Sequence, residues 1–159
     1  MRILFGRNPR ATVARALTIV AVATIVLRFL LLPVRLEGIS MLPTYDDGEI
    51  NFAKRLAYAF KMPKRGDVVA IRMAGESVVY VKRIIGLPHE EVRFARGTVL
   101  INGEPLAEPT VRYKIPWNMK PMRLGDDEYF LVGDNRSMDM VNHDFGKAMR
   151  EKIVGKLIY

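Results

Sequence analysis

From Thr12 to Leu32 the chain is apolar apart from Arg15, Arg28 and scattered threonines. A helix of about 20 residues, rising ~1.5 Å per residue, crosses a ~30 Å hydrocarbon layer. This run therefore either spans a bilayer or has to be buried whole inside the protein. The uninterrupted stretch from Ala16 to Leu27 is too short alone, so the span is complete only if Arg15 and Arg28 reach opposite headgroup layers. Arg2, Arg7, Arg10 and Arg15 lie on the N-terminal side, which places the N-terminus in the cytoplasm and the remainder outside. A cleaved signal peptide is the rival reading. Its best small-x-small site, Ala21-Val22-Ala23, sits inside the apolar run with too few apolar residues before it. The basic flank also argues against a buried helix of a soluble protein. The expected organisation is a cytoplasmic basic segment over residues 1–11, a signal-anchor helix over 12–33 and an extracytoplasmic domain over 34–159. The expected location is the cytoplasmic (inner) membrane, with the lipid bilayer as a partner.

The net charge of +8 suggests nucleic acid until it is located. Residues 1–36 hold six arginines and no acidic residue, and the rest of the chain has 19 basic and 17 acidic residues. The charge belongs to the membrane flank, so no nucleic-acid partner is expected. With no cysteine, disulfides, thiol nucleophiles and thiolate metal sites are excluded. Two histidines, His89 and His143, are too few for a multi-histidine centre. The acidic stretches Asp46-Asp47 and Asp126-Asp127-Glu128 lack the ligand spacing of a calcium loop and read as solvated turns. Neither a metal nor another cofactor is expected.

After Pro33 short β-branched and aromatic runs alternate with Gly, Pro and Asp turns. Strands are expected over 67–72, 77–85, 91–94, 98–101 and 128–132, with a two-residue hairpin at Asn102-Gly103. The only trace of helical period beyond the anchor is in 54–60. The fold class is mainly β: one antiparallel β domain behind one N-terminal transmembrane helix.

Three polar sites stand out. Ser40 lies in GISMLPT, a few residues past the apolar run, where Ser, Gly and Pro also suit an ordinary turn. Lys82 lies in VVYVKRIIGLP, and strand alternation gives it Val78, Tyr80 and Ile84 as neighbours on its own face. Such surroundings strip water from an ammonium and lower its pKa. A neutral lysine can take the proton of a serine hydroxyl. Alternatively, the lysine stem packs while its amine reaches water. In LVGDNRSMD, residues 131–139, Asp134, Asn135 and Arg136 either cap a turn through side-chain to backbone bonds or orient the loops carrying Ser40 and Lys82.

Taken in order, SMLPT from Ser40, KRGDVVAI at 64–71, YVKRIIGLP at 80–88, GDNR at 133–136 and FG…IVGKL at 145–157 resemble the motif boxes of type I signal peptidases. The anchor resembles that family too, and the likeness covers about residues 12–157. The 42-residue step from Ser40 to Lys82 resembles the minimal form, without a large inserted domain. The resemblance implies a serine endopeptidase that removes signal peptides from exported preproteins after a small-x-small, Ala-x-Ala ending. Ser40 would be the nucleophile and Lys82 the general base, with the Ser40 backbone N–H helping to hold the oxyanion. Some members place a second hydroxyl two positions earlier, where this chain has Gly38. Met41, Tyr45, Tyr80 and Val81 match positions lining pockets for small side chains, filled by a substrate bound as an added strand.

One segment departs from the family pattern, which continues GDNR with two residues, Ser-x-Asp-Ser-Arg, an aromatic and Gly. Aligned without a gap, the serine becomes Asp139, the aspartate Val141 and the arginine His143. Asp139 would then oppose the lowering of the Lys82 pKa. A shift of two residues matches Ser137-Met138-Asp139 instead, and Ser137 would support the lysine. This departure leaves a second reading, a catalytically impaired or specialised relative acting as a membrane-tethered binding or single-substrate processing protein. A third uses His143 with Asp139 or Asp144 as a Ser-His-Asp hydrolase.

Overall fold

The computed structural model describes residues 8–72, 79–143 and 145–158. Helix α1 (Pro9–Ile25) starts at Asn8, whose side chain accepts the Arg10 N–H at 3.1 Å, with Pro9 in the first turn. It continues into a π-helical turn, Val26–Leu30, and none of these residues is buried. By length and composition Pro9–Leu30 can cross a membrane. The segment then enters strand β1 (Leu31–Arg35), so residues 31–33, expected as the tail of the anchor, are extended and pair with residues 52–54. Pro33 explains the change: it lacks an N–H for the helix and disfavours helical backbone at Leu32.

Ten further strands follow: β2 (Ile50–Lys54), β3 (Val68–Arg72), β4 (Val79–Gly86), β5 (Glu91–Ala95), β6 (Thr98–Ile101), β7 (Glu104–Pro105), β8 (Met119–Arg123), β9 (Glu128–Val132), β10 (Gly146–Met149) and β11 (Ile153–Leu157). The fold is mainly antiparallel β, as expected. One sheet has seven strands in the order β1-β2-β11-β3-β4-β9-β10, and the other has four in the order β7-β6-β5-β8. The expected hairpin joins β6 to β7, with positive φ at both Asn102 and Gly103. The 54–60 stretch forms only a short 3-10 turn, Arg55–Tyr58. The start of the expected 77–85 strand lies outside the described residues, and β4 is described from Val79.

Strand alternation sorts the core. On β3, Val68 and Ala70 join Val34, Ala53, Val81 and Leu157 on one side of the large sheet. Val69 and Ile71 join Ile84, Tyr129 and Leu131 on the other. A third cluster, around Phe94, Trp117 and Phe130, forms where the small sheet packs on the β4 and β9 ends. Pairing from β1 through β2, β11 and β3 to β4 is antiparallel at every step. Four reversals leave β1 and β4 running in the same direction. These two strands form opposite walls of one groove of about 490 Å³.

Candidate active site

Ser40 sits in the loop that leaves β1. The loop is shaped by backbone bonds from Leu36 N–H to Glu49 O (2.8 Å), from Gly48 N–H to Leu36 O (2.8 Å) and from Thr44 N–H to Met41 O (2.9 Å). The turn reading of the local sequence is therefore correct, and the serine has a partner as well. Lys82 lies on β4 opposite Val69, which is fully buried, and is itself only 3% exposed. Its Nζ donates to Ser40 Oγ at 2.9 Å. Residues 42 positions apart are thus brought into hydrogen-bond contact at the end of the groove.

The GDNR box ties both partners in place. Arg83 follows Lys82 and points to the opposite face. Its guanidinium grips Asp134 with Nε–Oδ1 at 2.7 Å and Nη2–Oδ2 at 2.6 Å, and Nη1 donates to Gly66 O at 2.6 Å. The Thr44 hydroxyl also donates to Asp134 Oδ2. Asn135 clamps the Ser40 loop through its backbone N–H to Ser40 O and its Nδ2 to Ile39 O, both at 3.0 Å. Arg136, 1% exposed, donates to Gly133 O and Glu108 and lies over the Phe94 and Trp117 rings. Among the described glycines Gly133 makes the closest approach: a Cβ there would meet Ser40 O at 2.2 Å and the His143 ring at 2.7 Å.

The remaining expected residues separate. Met41, Tyr80 and Val81 line the groove with Ser40 and Lys82. Tyr45 is buried in the core beside Met41 and is not among the groove-lining residues. Ser137 is exposed, with its Oγ on Asn135 Oδ1 at 2.6 Å. Asp139 is exposed and starts a short 3-10 turn, Met140–Asn142, without a capping side-chain bond. His143 is 5% exposed and packs edge-on against Trp117, with ring centroids 5.0 Å apart. Asp144 lies outside the described residues.

Sequence reasoning passed over Arg83, Thr44 and the β1 wall of the groove. Arg83 carried a usable signal, since alternation puts it opposite Lys82 in a buried strand and a buried guanidinium needs an anion. It also treated KRGDVV and IVGKL as separate boxes, but they form one cluster. Asp67 accepts from Lys156 Nζ (2.6 Å), Tyr58 OH (2.8 Å) and Lys64 N–H (3.1 Å). Burial pushes the Asp67 carboxyl up, but these donors, led by Lys156, outweigh it and hold it below its ordinary range. Burial, followed by the bond to Asp67, pushes the Tyr58 hydroxyl far up.

The profile of the signal peptidase family, peptidase S26, matches residues 10–159. The chain belongs to that family. Signal peptidase I of Bacillus amyloliquefaciens is 36% identical over 148 residues, covering 86% of this chain and 76% of that protein. Signal peptidase I of Leptolyngbya laminosa is 32% identical over 127 residues, covering 75% of this chain and 63% of the relative's length. A crystal structure of a signal peptidase I from Enterococcus faecalis superposes with a TM-score of 0.51 at 26% identity. That likeness covers 62% of this chain and 98% of the Enterococcus chain. S26 peptidases are serine endopeptidases, which gives the Ser40–Lys82 contact a family context.

Proposed function

We propose that this chain is a membrane-anchored serine endopeptidase that cuts signal peptides from exported preproteins after an Ala-x-Ala ending, with Ser40 as nucleophile and Lys82 as general base. The observation that carries the proposal is the 2.9 Å contact between Lys82 Nζ and Ser40 Oγ, made by a lysine only 3% exposed. Burial disfavours the charged amine, and a neutral amine accepts the hydroxyl proton across the same contact. Ser40 Oγ then attacks the scissile carbonyl, and the Ser40 backbone N–H helps hold the oxyanion. Lys82 returns the proton to the leaving amine, and water, deprotonated by the same lysine, hydrolyses the acyl-enzyme. Asp134, Asn135 and Arg136 act as supports, and Ser137 and Asp139 shape the loop that follows them.

The groove suits a peptide strand. Leu36 directs its backbone N–H and C=O toward β2's side, so by alternation Arg35 and Glu37 direct theirs into the groove. On the opposite wall, Ile84 pairs with Gly66 and Asp67, so Val81 and Val79 direct theirs into the groove. Pro33, with no N–H to offer, sits on this open edge where such a residue is tolerated. A preprotein emerging from the membrane beside α1 runs the same way as β1 and β4 and pairs with both. Met41, Val81 and Leu36 line the groove with Ser40 and Lys82 and would form the floor that takes small side chains. In this arrangement the anchor crosses the cytoplasmic membrane with residues 34–159 outside.

The alternative of an impaired or specialised relative rests on the 137–143 segment, where, aligned without a gap, Asp139, Val141 and His143 stand in place of the family's residues. One experiment separates them. Purified full-length protein in detergent is expected to cut a generic Ala-x-Ala preprotein at that ending, Ser40→Ala is expected to be inert, and protease added to sealed spheroplasts is expected to digest the 34–159 domain. A folded wild type that leaves generic precursors intact would favour the alternative.

A further inference from the structure

The groove has two unlike faces. Along β1, Val34 is buried in the core, as is Leu36 just beyond it, whereas Arg35 and Glu37 are exposed. Along β4, Val81 faces the same core as Val34 and Leu36, while Tyr80 turns to the opposite side. All six residues line the groove. A strand lying between these walls therefore presents alternate side chains to an apolar floor and to a polar upper rim. With small residues at the first and third positions before the cut resting on the floor, the second and fourth positions rise to the rim.

We propose that Glu37 and Arg35 are specificity-determining residues that read charge at the second and fourth substrate positions before the scissile bond. This inference deepens the peptidase reading above and rests on it. Glu37 lies three residues from Ser40 and flanks the second position, where it favours lysine or arginine and disfavours aspartate or glutamate. Arg35 lies two residues further toward the membrane, flanks the fourth position and favours an acidic side chain. Both groups are solvent-exposed, so the preference is graded: about two- to fivefold per position, the size of an exposed ion pair, and weaker at high salt. The chain would thus discriminate among preproteins that share the same small residues.

The test uses the full-length protein in detergent and precursor peptides ending Ala-Lys-Ala, Ala-Ala-Ala and Ala-Glu-Ala, matched elsewhere. The expected order of kcat/KM is Lys, then Ala, then Glu. Glu37→Lys is expected to reverse that order, and Arg35→Glu to leave it in place while reversing a parallel series varied at the fourth position. The same peptides are titrated onto Ser40→Ala by fluorescence anisotropy, where the affinity order is expected to match. Equal cleavage of the three peptides by wild type, or an order unmoved by Glu37→Lys, would overturn the inference and leave the peptidase reading standing. Charge-ordered binding without any cleavage would overturn that reading, and with it the inference as a rule for choosing the scissile bond. Neither cleavage nor binding would overturn both.

Discussion

Asp134 and Arg136 are each 1% exposed, whereas Ser137 and Asp139, next in the same loop, stand in solvent. In residues 133–135 every side chain, and the glycine's missing one, meets a group beside Ser40 or Lys82, and Arg136 holds Gly133 O and Glu108. Asp134 holds Arg83, the neighbour of Lys82, and Asn135 holds the carbonyls of Ser40 and Ile39. Beyond Arg136, the Ser137 bonds are local, both to Asn135, while the Met138 carbonyl accepts from Trp117 Nε1 at 2.8 Å. This difference accounts for a departure from the family pattern, aligned without a gap, at the exposed Asp139 and Val141 while GDNR is kept; His143, buried against Trp117, belongs to the packed side. Substitutions on the buried side break ties between elements, and those on the exposed side alter a surface.

The largest effect is expected at Asp134. Asp134→Ala leaves the Arg83 guanidinium, whose side chain is 10% exposed, without its carboxylate. Removing one partner of a buried pair costs about 3–5 kcal/mol. Chemical denaturation of the variant checks this, and a loss under about 1 kcal/mol would erase the contrast between the two halves of the loop.

A smaller effect is expected at Asp67, where Asp67→Asn removes the carboxylate shared by Lys156, Tyr58 and Lys64. A loss of about 1–2 kcal/mol is expected at neutral pH. Because the folded carboxyl lies below its ordinary value, its contribution is complete above about pH 4 and fades as pH falls through the depressed value. Denaturation curves of wild type and Asp67→Asn should therefore converge in acid. Curves that converge in alkali instead would reverse the sign of the shift.

The smallest effect is expected at Asp139. An exposed carboxylate is screened, so Asp139→Ser should change kcat/KM at neutral pH by less than about twofold. The pH–rate profile checks this: an acidic limb moved to lower pH would mean that Asp139 acts on Lys82 after all. That result would make the departed half of the loop part of the active site.

The β-branched interiors of β3, β4, β5, β6 and β9 were legible because buried strands need such residues on both faces or on alternate ones. Strands β1, β8 and β10 were not, and all three are sheet edges. Edges tolerate the residues that hide a strand: Pro33 in β1, Pro121 in β8, and the GKAM sequence of β10 with no β-branched residue. β2 was missed although it lies inside the sheet, because its outward Ile50 and Phe52 are exposed and blur the alternation. At the site, Ser40 and Lys82 could be named from motif order. The Arg83–Asp134 tie could not, because it joins residues 51 positions apart and its only trace is one charge on the buried face of β4.

The central claim is that Ser40 and Lys82 act as one unit. The most direct test compares precursor cleavage by Ser40→Ala, Lys82→Ala and the double variant, each checked for folding by circular dichroism. The account predicts that each single substitution abolishes cleavage and that the double variant is no worse than either, since removing one member disables both. Near-normal turnover by folded Lys82→Ala, or losses that add in the double variant, would contradict it.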